Sequence, residues 1–293
     1  MSFKAILVPL SGSDTQCDTS SLRSALIFSK RLGGHIDALH VLRDPRAAAA
    51  FVGEGMTTSM IESVIDLAEK DSKKRSAAAR KTFQKICDEE NIPIEQNDAD
   101  ANAETTMARF VEKMGNQEDF LPEYGRMFDL IVVCKNATDE HTDNDLIINS
   151  AILETGRPVL VLDAPLPDNF ASKIAVIWNG SIESSRAITH ALPILKAASE
   201  VSLICAIDDF SEDINPDDAI RYLAVHGITA KSCIIRGSSG RSTAEALLNA
   251  AKKSDADFLV MGAYTKSRLR RLFFGAVTGE MLEKCSLPIL MVH

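Results

Sequence analysis

Two patterns of apolar and polar positions alternate along the chain. Short, nearly unbroken apolar runs of strand length are separated by longer stretches in which apolar residues recur every three to four positions. That alternation is expected of a parallel sheet covered by helices. The first run, residues 6–10, leads through Ser11-Gly12-Ser13-Asp14 into a helix over 20–32, with Leu22, Ala25, Leu26 and Ser29 on one stripe and Gly33-Gly34 closing it. A strand over 35–42 follows, then a long helical pattern over 58–91, a strand over 92–96, a helix near 104–115, a strand over 129–134, a helix near 145–154 and a strand over 158–162. Ala164-Pro165-Leu166-Pro167-Asp168-Asn169 breaks every period and reads as a linker. The order then starts again, with strands over 174–178, 201–207, 229–235, 258–262 and 288–292, and helices over 183–198, 216–226, 243–253 and 277–284. Parallel strands need such crossovers.

The second series repeats the first. Gly12-Ser13 superposes on Gly180-Ser181 at an offset of 168, bringing Ile6 onto Ile174 and Val8 onto Val176. Asp129-Leu130-Ile131-Val132-Val133 superposes on Asp257-Phe258-Leu259-Val260-Met261 at an offset of 128. The difference of 40 residues locates an insertion between the second and fourth strands of the first copy, where the long helix lies. The expected architecture is two α/β domains, 1–164 and 170–293, each an open five-stranded parallel sheet flanked by helices.

Composition agrees with an ordinary globular protein: 45% of residues are apolar and 25% charged. No apolar run approaches membrane-spanning length, and the first residues lead straight into a strand pattern rather than a signal segment. The six cysteines are far apart, without metal-ligand spacing, and read as reduced thiols of a cytoplasmic protein. A net charge of −9 disfavours nucleic acid and anionic membrane as partners, so any anion site must be local.

One segment offers such a site. A buried strand ends at Gly262, a loop follows, and Gly275 opens the next helix; between Phe258 and Gly279 lie Lys266, Arg268, Arg270 and Arg271 and no acidic residue. Glycine at a strand end lets backbone approach a ligand, and a helix N-terminus presents unpaired N–H groups to phosphate. The plainer reading is a solvated basic stretch over Leu269, Leu272, Phe273 and Phe274. The corresponding loop of the first half, 134–145, contains Asp139, Glu140, Asp143 and Asp145 and no glycine, so it would repel a phosphate. Asp208, Asp209, Glu212, Asp213, Asp217 and Asp218 lack calcium-loop spacing, the histidines are dispersed, and no catalytic or metal-ligating constellation is visible.

The segments Val260-Met261-Gly262-Ala263-Tyr264, Ser267-Arg268-Leu269-Arg270, Phe274-Gly275, Val277-Thr278 and Pro288-Ile289-Leu290-Met291-Val292 resemble the C-terminus of the universal stress protein family. The openings Ile6-Leu7-Val8-Pro9-Leu10-Ser11-Gly12-Ser13 and Ala175-Val176-Ile177-Trp178-Asn179-Gly180-Ser181 are similar to that family's first strand and turn. The resemblance covers both halves and so implies a tandem member with the adenine-nucleotide α-hydrolase-like fold, strand order 3-2-1-4-5, and the two repeats paired as an intramolecular pseudo-dimer through their last strands. It also implies a stress-response binding protein that holds ATP, with magnesium, or a related adenine nucleotide, with at most slow hydrolysis. Against the family's G-x-x-G-x(9)-G-[ST] loop, Gly262 and Gly275 match, while Thr265 stands at the second glycine and Ala276 at the hydroxyl residue. The implied nucleotide contacts are Asn179, Gly180, Ile207 for the base, Met261, Gly262, Thr265, Arg268, Gly275, Ala276, Val277 and Thr278. The alternative is a nucleotide-independent scaffold acting through homodimerisation and the inserted helix.

Overall fold

The computed structural model describes residues 3–45, 57–95, 106–135, 143–207, 215–236, 242–264 and 276–293. Contacts group the chain into two units, Phe3–Thr155 and, beginning at Gly156, the remainder to His293.

In the first unit β1 (Ala5–Leu10) lies at the centre, β2 (His35–Leu42) on one side and β4 (Leu130–Cys134) on the other, with β3 (Ala108–Met114) beyond β2. All four are parallel, in the order β3-β2-β1-β4. Ile6, Leu7, Val8 and Leu10 are fully buried because helices cover both faces of the sheet, which is why β1 reads as a continuous apolar run. The covering helices are α1 (Thr15–Leu32), α2 (Thr58–Glu90), α3 (Gln117–Gly125) and α4 (Asp143–Glu154). Phe28 of α1 packs edge-on against Phe3, ring centroids 5.1 Å apart.

The second unit contains β5 (Val159–Leu162), β6 (Lys173–Trp178), α5 (Ile182–Ala197), β7 (Glu200–Ile207), α6 (Pro216–Val225), β8 (Ala230–Arg236), α7 (Thr243–Lys253), β9 (Phe258–Gly262), α8 (Ala276–Lys284) and β10 (Ile289–Val292). Its sheet runs β5-β10-β9-β6-β7-β8. Taken in chain order, β6 to β10 realise the arrangement 3-2-1-4-5, all parallel. The strand β5 joins this sheet antiparallel to β10, with Ile289 opposite Val161, and its contacts therefore group it with the second unit. Within residues 164–169 Leu166 is buried and the others are exposed; Phe170, just beyond, is buried with its ring 6.1 Å from that of Phe258.

The third strand of the first unit departs from the sequence reading. The strand expected over 92–96 is reduced to an isolated bridge between Ile94 and Ala108, and the helix expected near 104–115 is β3 itself. The helix begins only at Gln117. On β3, Arg109 reaches Asp37 and Tyr124 while the next residue, Phe110, meets Phe83 and Arg80 of α2. Successive side chains thus serve opposite faces, the two-residue period of a strand. Helix-favouring Ala, Arg, Glu, Lys and Met at a sheet edge conceal that period.

The insertion is α2, 33 residues long against 10 for α6, its counterpart in the second unit. Its second half buries Ala79, Phe83, Ile86 and Cys87. Ion pairs of Arg23 and Lys30 on α1 with Glu89 and Glu90 fasten its end, and Asn91 closes it in the left-handed conformation.

The two units share one polar device at the repeat offset of 128. Asp129 accepts backbone N–H bonds from Lys4 and Ala5 at 2.8 and 3.0 Å. Asp257 accepts the same pair from Ser172 and Lys173, both at 3.0 Å. Each carboxylate, just before the fourth strand of its repeat, satisfies the donors where the first strand begins. Replacing Asp257 by Ala is expected to lower unfolding free energy by about 1–3 kcal/mol, with Asn recovering part of the loss, as read by urea denaturation.

Candidate functional site

In the second unit the carboxyl ends of β6 and β9 lie side by side, the usual position for a ligand crevice in an open α/β sheet. The chain leaves β6 through Asn179 and Gly180. Asn179 Oδ1 accepts the Ser181 N–H at 3.2 Å, and Gly180 takes φ 71°, a left-handed conformation suited to glycine. Ser181 then caps α5, its hydroxyl accepting the Ser184 N–H at 3.1 Å. Asn179 and Gly180 are exposed, as a ligand turn requires.

Gly262 is demanded by packing. A Cβ there would stand 2.5 Å from Ser184 N and 2.6 Å from the Glu183 carbonyl carbon, both backbone atoms that cannot move cheaply. The first turn of α5 therefore presses directly on the end of β9. Met261 is buried within the sheet, in register with Ile177 and Met291, and contributes to the core. Ile207 ends β7, in register with Arg236.

Beyond Gly262 the strand exit is locked by Ala263, Tyr264 and His293, which the sequence reading had not singled out, and by Thr278, which it had given as a nucleotide contact. The Ala263 N–H donates to Val292 O at 2.8 Å, and Ala263 O lies 3.0 Å from His293 Nδ1. Tyr264 adopts φ 61°, its N–H donates to Thr278 Oγ1 at 3.2 Å, and its ring stands edge-on to that of His293. Burial pushes the Tyr264 phenol above its ordinary range, so it stays a neutral donor. Thr278 is itself buried, and its hydroxyl holds the strand exit against the first turn of α8. Val277 is partly exposed beside it, and α8 begins at Ala276, so the N–H groups of Ala276, Val277 and Thr278 fall in the first helical turn, where no intrahelical acceptor exists. Thr265, Arg268 and Gly275, with the rest of the basic loop, lie outside the described residues, as do the acidic residues 136–142 and 208–214.

The first unit uses the equivalent turn differently. Gly12 repeats the conformation of Gly180, at φ 67°. Asp18, four residues beyond the Asp14 cap, turns back onto this turn and accepts the Ser11 N–H at 2.9 Å, the Gly12 N–H at 2.8 Å and the Ser11 hydroxyl at 3.2 Å. Asp14 takes the Gln16 and Cys17 N–H groups. The anion-binding donors of the turn and of the α1 N-terminus are thus filled by the protein's own carboxylates. In the second unit the residue six beyond the turn glycine, as Asp18 is beyond Gly12, is Arg186, which has no carboxylate to offer the turn. From above, α2 closes the same place: the Arg75 carbonyl sits against Gly12, where a Cβ would collide with it. What remains beside Ser11, His40, Ser72 and Arg75 is a cavity of about 20 Å³, room for about one water.

Electrostatics follow this packing. Burial raises the Asp18 pKa to about 6, outweighing the hydrogen bonds from Ser11 and Gly12 that favour the carboxylate. Burial lowers that of His40, whose Nδ1 lies 2.9 Å from Leu10 O. A hydrogen bond with the Cys134 thiol, together with burial, keeps the Cys17 thiol protonated. Among the described residues no three His, Cys, Asp or Glu side chains gather as metal ligands, and no helix is long and apolar enough to cross a membrane.

Comparison with known proteins agrees with this geometry. Residues 231–293 match the model of the Universal stress protein family. A curated universal stress protein of Synechocystis sp. is 23% identical, the match covering 98% of this chain and 99% of that protein. The crystal structure of a universal stress protein from Archaeoglobus fulgidus covers all of this chain and 99% of its own, at 14% identity and a TM-score of 0.68. That of a putative universal stress protein from Pseudomonas aeruginosa covers 99% and 93%, at 15% identity and a TM-score of 0.58. The last 63 residues are thus similar to that family, and the whole chain shares the fold of these two structures.

The buried Asp18 makes a signed prediction. Its folded pKa, about 6, lies above the ordinary 3.8, so its contribution is most favourable below about pH 4 and is lost as pH rises through 6. Measured by urea denaturation, Asp18→Asn should gain on the wild type by an amount on the order of 3 kcal/mol between pH 4 and pH 7. A difference that does not change with pH would contradict this.

Proposed function

We propose that the chain is a tandem universal stress protein that acts in the cytoplasm as a regulatory binding protein, with repeats 1–164 and 170–293, and that its second unit holds ATP, with magnesium, or a related adenine nucleotide. One contrast carries the reading: the turn donors of the first unit are filled by Asp18 and closed over by α2, whereas the second unit has Arg186 at the Asp18 position, six residues beyond the turn glycine, and a ten-residue α6 where α2 stands. The crevice of the second unit also ends in a sequence with four cations and no acid between Phe258 and Gly279, in a protein of net charge −9. The α8 amides of Ala276, Val277 and Thr278, with Arg268 and its basic neighbours, would hold the phosphates, and Asn179, Gly180 and Ile207 would face the nucleoside. Magnesium would neutralise phosphate charge there. Binding rather than turnover is favoured, because the sequence shows no catalytic acid–base constellation.

A second reading has its own observation. Residues Thr58–Asp71 of α2 include no fully buried side chain, and although Ile61, Val64, Ile65 and Ala68 are partly covered, the exposed side of this half is open to a protein partner. In that reading the protein is a scaffold and nucleotide is incidental.

Titration calorimetry with ATP and magnesium separates the two, together with mass spectrometry of small molecules released on denaturation. One nucleotide per chain is expected. Replacing Lys266, Arg268, Arg270 and Arg271 by Gln should weaken it about tenfold or more. Absence of binding at millimolar ATP, with no released nucleotide, would overturn the first reading. Gly262→Ala is a poor probe, since its clash with α5 lowers stability whether or not a ligand binds.

A further inference from the structure

The first unit buries two thiols that the proposed function does not use. Cys17 lies in the first turn of α1 and Cys134 ends β4; they are 5% and 7% exposed. Their sulfurs are in hydrogen-bond contact. The Cys134 thiol donates to Lys135 O at 3.5 Å, so the proton between the two sulfurs is that of Cys17, and the Cys134 sulfur accepts it. When Cys134 reacts as a thiolate this hydrogen bond stays in place. A Cys17 thiolate would lose it and would face the carboxylates of Asp14 and Asp18. The two sulfurs therefore have different roles open to them.

The repeat comparison sets the pair at the carboxyl edge of the sheet. Cys134 occupies the place of Gly262 at the offset of 128, and Cys17 that of Ser185 at the offset of 168. In the second unit the first helical turn presses its backbone on the strand-end glycine. In the first unit two sulfurs meet instead. With Pro9, Asp18, Val133 and Ile147 they line a cavity of about 10 Å³, room for about one water-sized molecule and too little for a bulky reagent.

We infer that Cys17 and Cys134 form a modification site for a small hydroperoxide, which converts them reversibly into a disulfide joining the end of β4 to the first turn of α1. First, the Cys134 sulfur attacks the terminal peroxide oxygen. The O–O bond breaks, an S–O bond forms, and the Cys134 thiol proton leaves on the other oxygen as alcohol or water. Cys134 has given up two electrons and stands as a sulfenic acid. The Cys17 sulfur then attacks it: the S–S bond forms, the S–O bond breaks, and hydroxide departs as water with the Cys17 proton. Two thiols and one hydroperoxide give one disulfide, one water and one alcohol, or two waters from hydrogen peroxide. Contact between the sulfurs offsets the low nucleophilicity of a protonated Cys17. The inference concerns the first unit alone, so it and nucleotide binding in the second can fail separately.

Peptide mapping of the full chain tests it. Cys233→Ser protein, which lacks the exposed thiol, is treated with hydrogen peroxide at neutral pH, quenched with catalase, denatured and alkylated. The expected product is a peptide pair linked through Cys17 and Cys134, with Cys87, Cys205 and Cys285 alkylated, and dithiothreitol should reverse the link. Adding Cys17→Ser should leave a sulfenic acid at Cys134 that a cyclic diketone labels. Adding Cys134→Ser should leave Cys17 unmodified, and a sulfenic acid at Cys17 there would overturn the assigned roles. Oxidised glutathione, which the cavity cannot admit, should link no such pair over the same time. Both thiols still alkylated after millimolar peroxide would overturn the inference. So would a link that forms only in urea, or one that oxidised glutathione makes equally well.

Discussion

Both units turn out of their first strand through a glycine in the left-handed region, Gly12 and Gly180, and the chemistry at the carboxyl edge depends on what is pressed against that turn. The turn aims backbone N–H groups out of the sheet, and donors held in a concave edge must be satisfied by something. In the first unit the something is internal. The Asp18 carboxylate takes the donors, and the Arg75 carbonyl lies against the glycine itself, so closely that no side chain fits. In the second unit the pressure comes from another direction: Gly262 lets the first turn of α5 rest on β9, and Asn179 and Gly180 are exposed.

A single insertion accounts for most of the difference between the repeats. The lengthened crossover is a helix whose middle closes over the Gly12 turn and whose first half, Thr58–Asp71, has no fully buried side chain. The side that seals the first crevice is fixed by Ser72, Ala79, Phe83 and Ile86, and ion pairs from α1 hold its far end. These inward contacts set the rotation of the helix and thereby decide that Met60 and Leu67 point away from the core.

Polar groups in the interior mark the places where geometry has to be held. Asp37 of β2, nearly buried, accepts from Arg109 Nη2 and the Tyr124 hydroxyl, both at 2.6 Å, and so ties the edge strand β3 to α3. A buried carboxylate needs that much compensation. Asp129 and Asp257 perform a matched service at the starts of the first strands. Asp18 is the exception: its hydrogen bonds do not fully offset its burial, and its raised pKa records the shortfall.

The sequence by itself determined the order of most elements and the α/β alternation, because one-sided burial leaves a local period. Most strands and helices fall within a residue or two of the expected bounds, and residues 243–253 and 258–262 coincide with α7 and β9. The glycine turns and the contrast between acidic and basic loops were legible for the same local reason. Tertiary structure alone decided that β3 is a strand, since Arg109 and Phe110 show their alternation only once Asp37 and Phe83 are in place. It decided that β5 groups with the second unit, that Gly262 answers first to α5, that the Thr278 hydroxyl is spent on Tyr264, and that Asp18 closes a site. Each of these is a contact between segments whose pairing leaves no trace in the period of either one. A local pattern records how deeply a residue is buried, and only the assembled fold records against what.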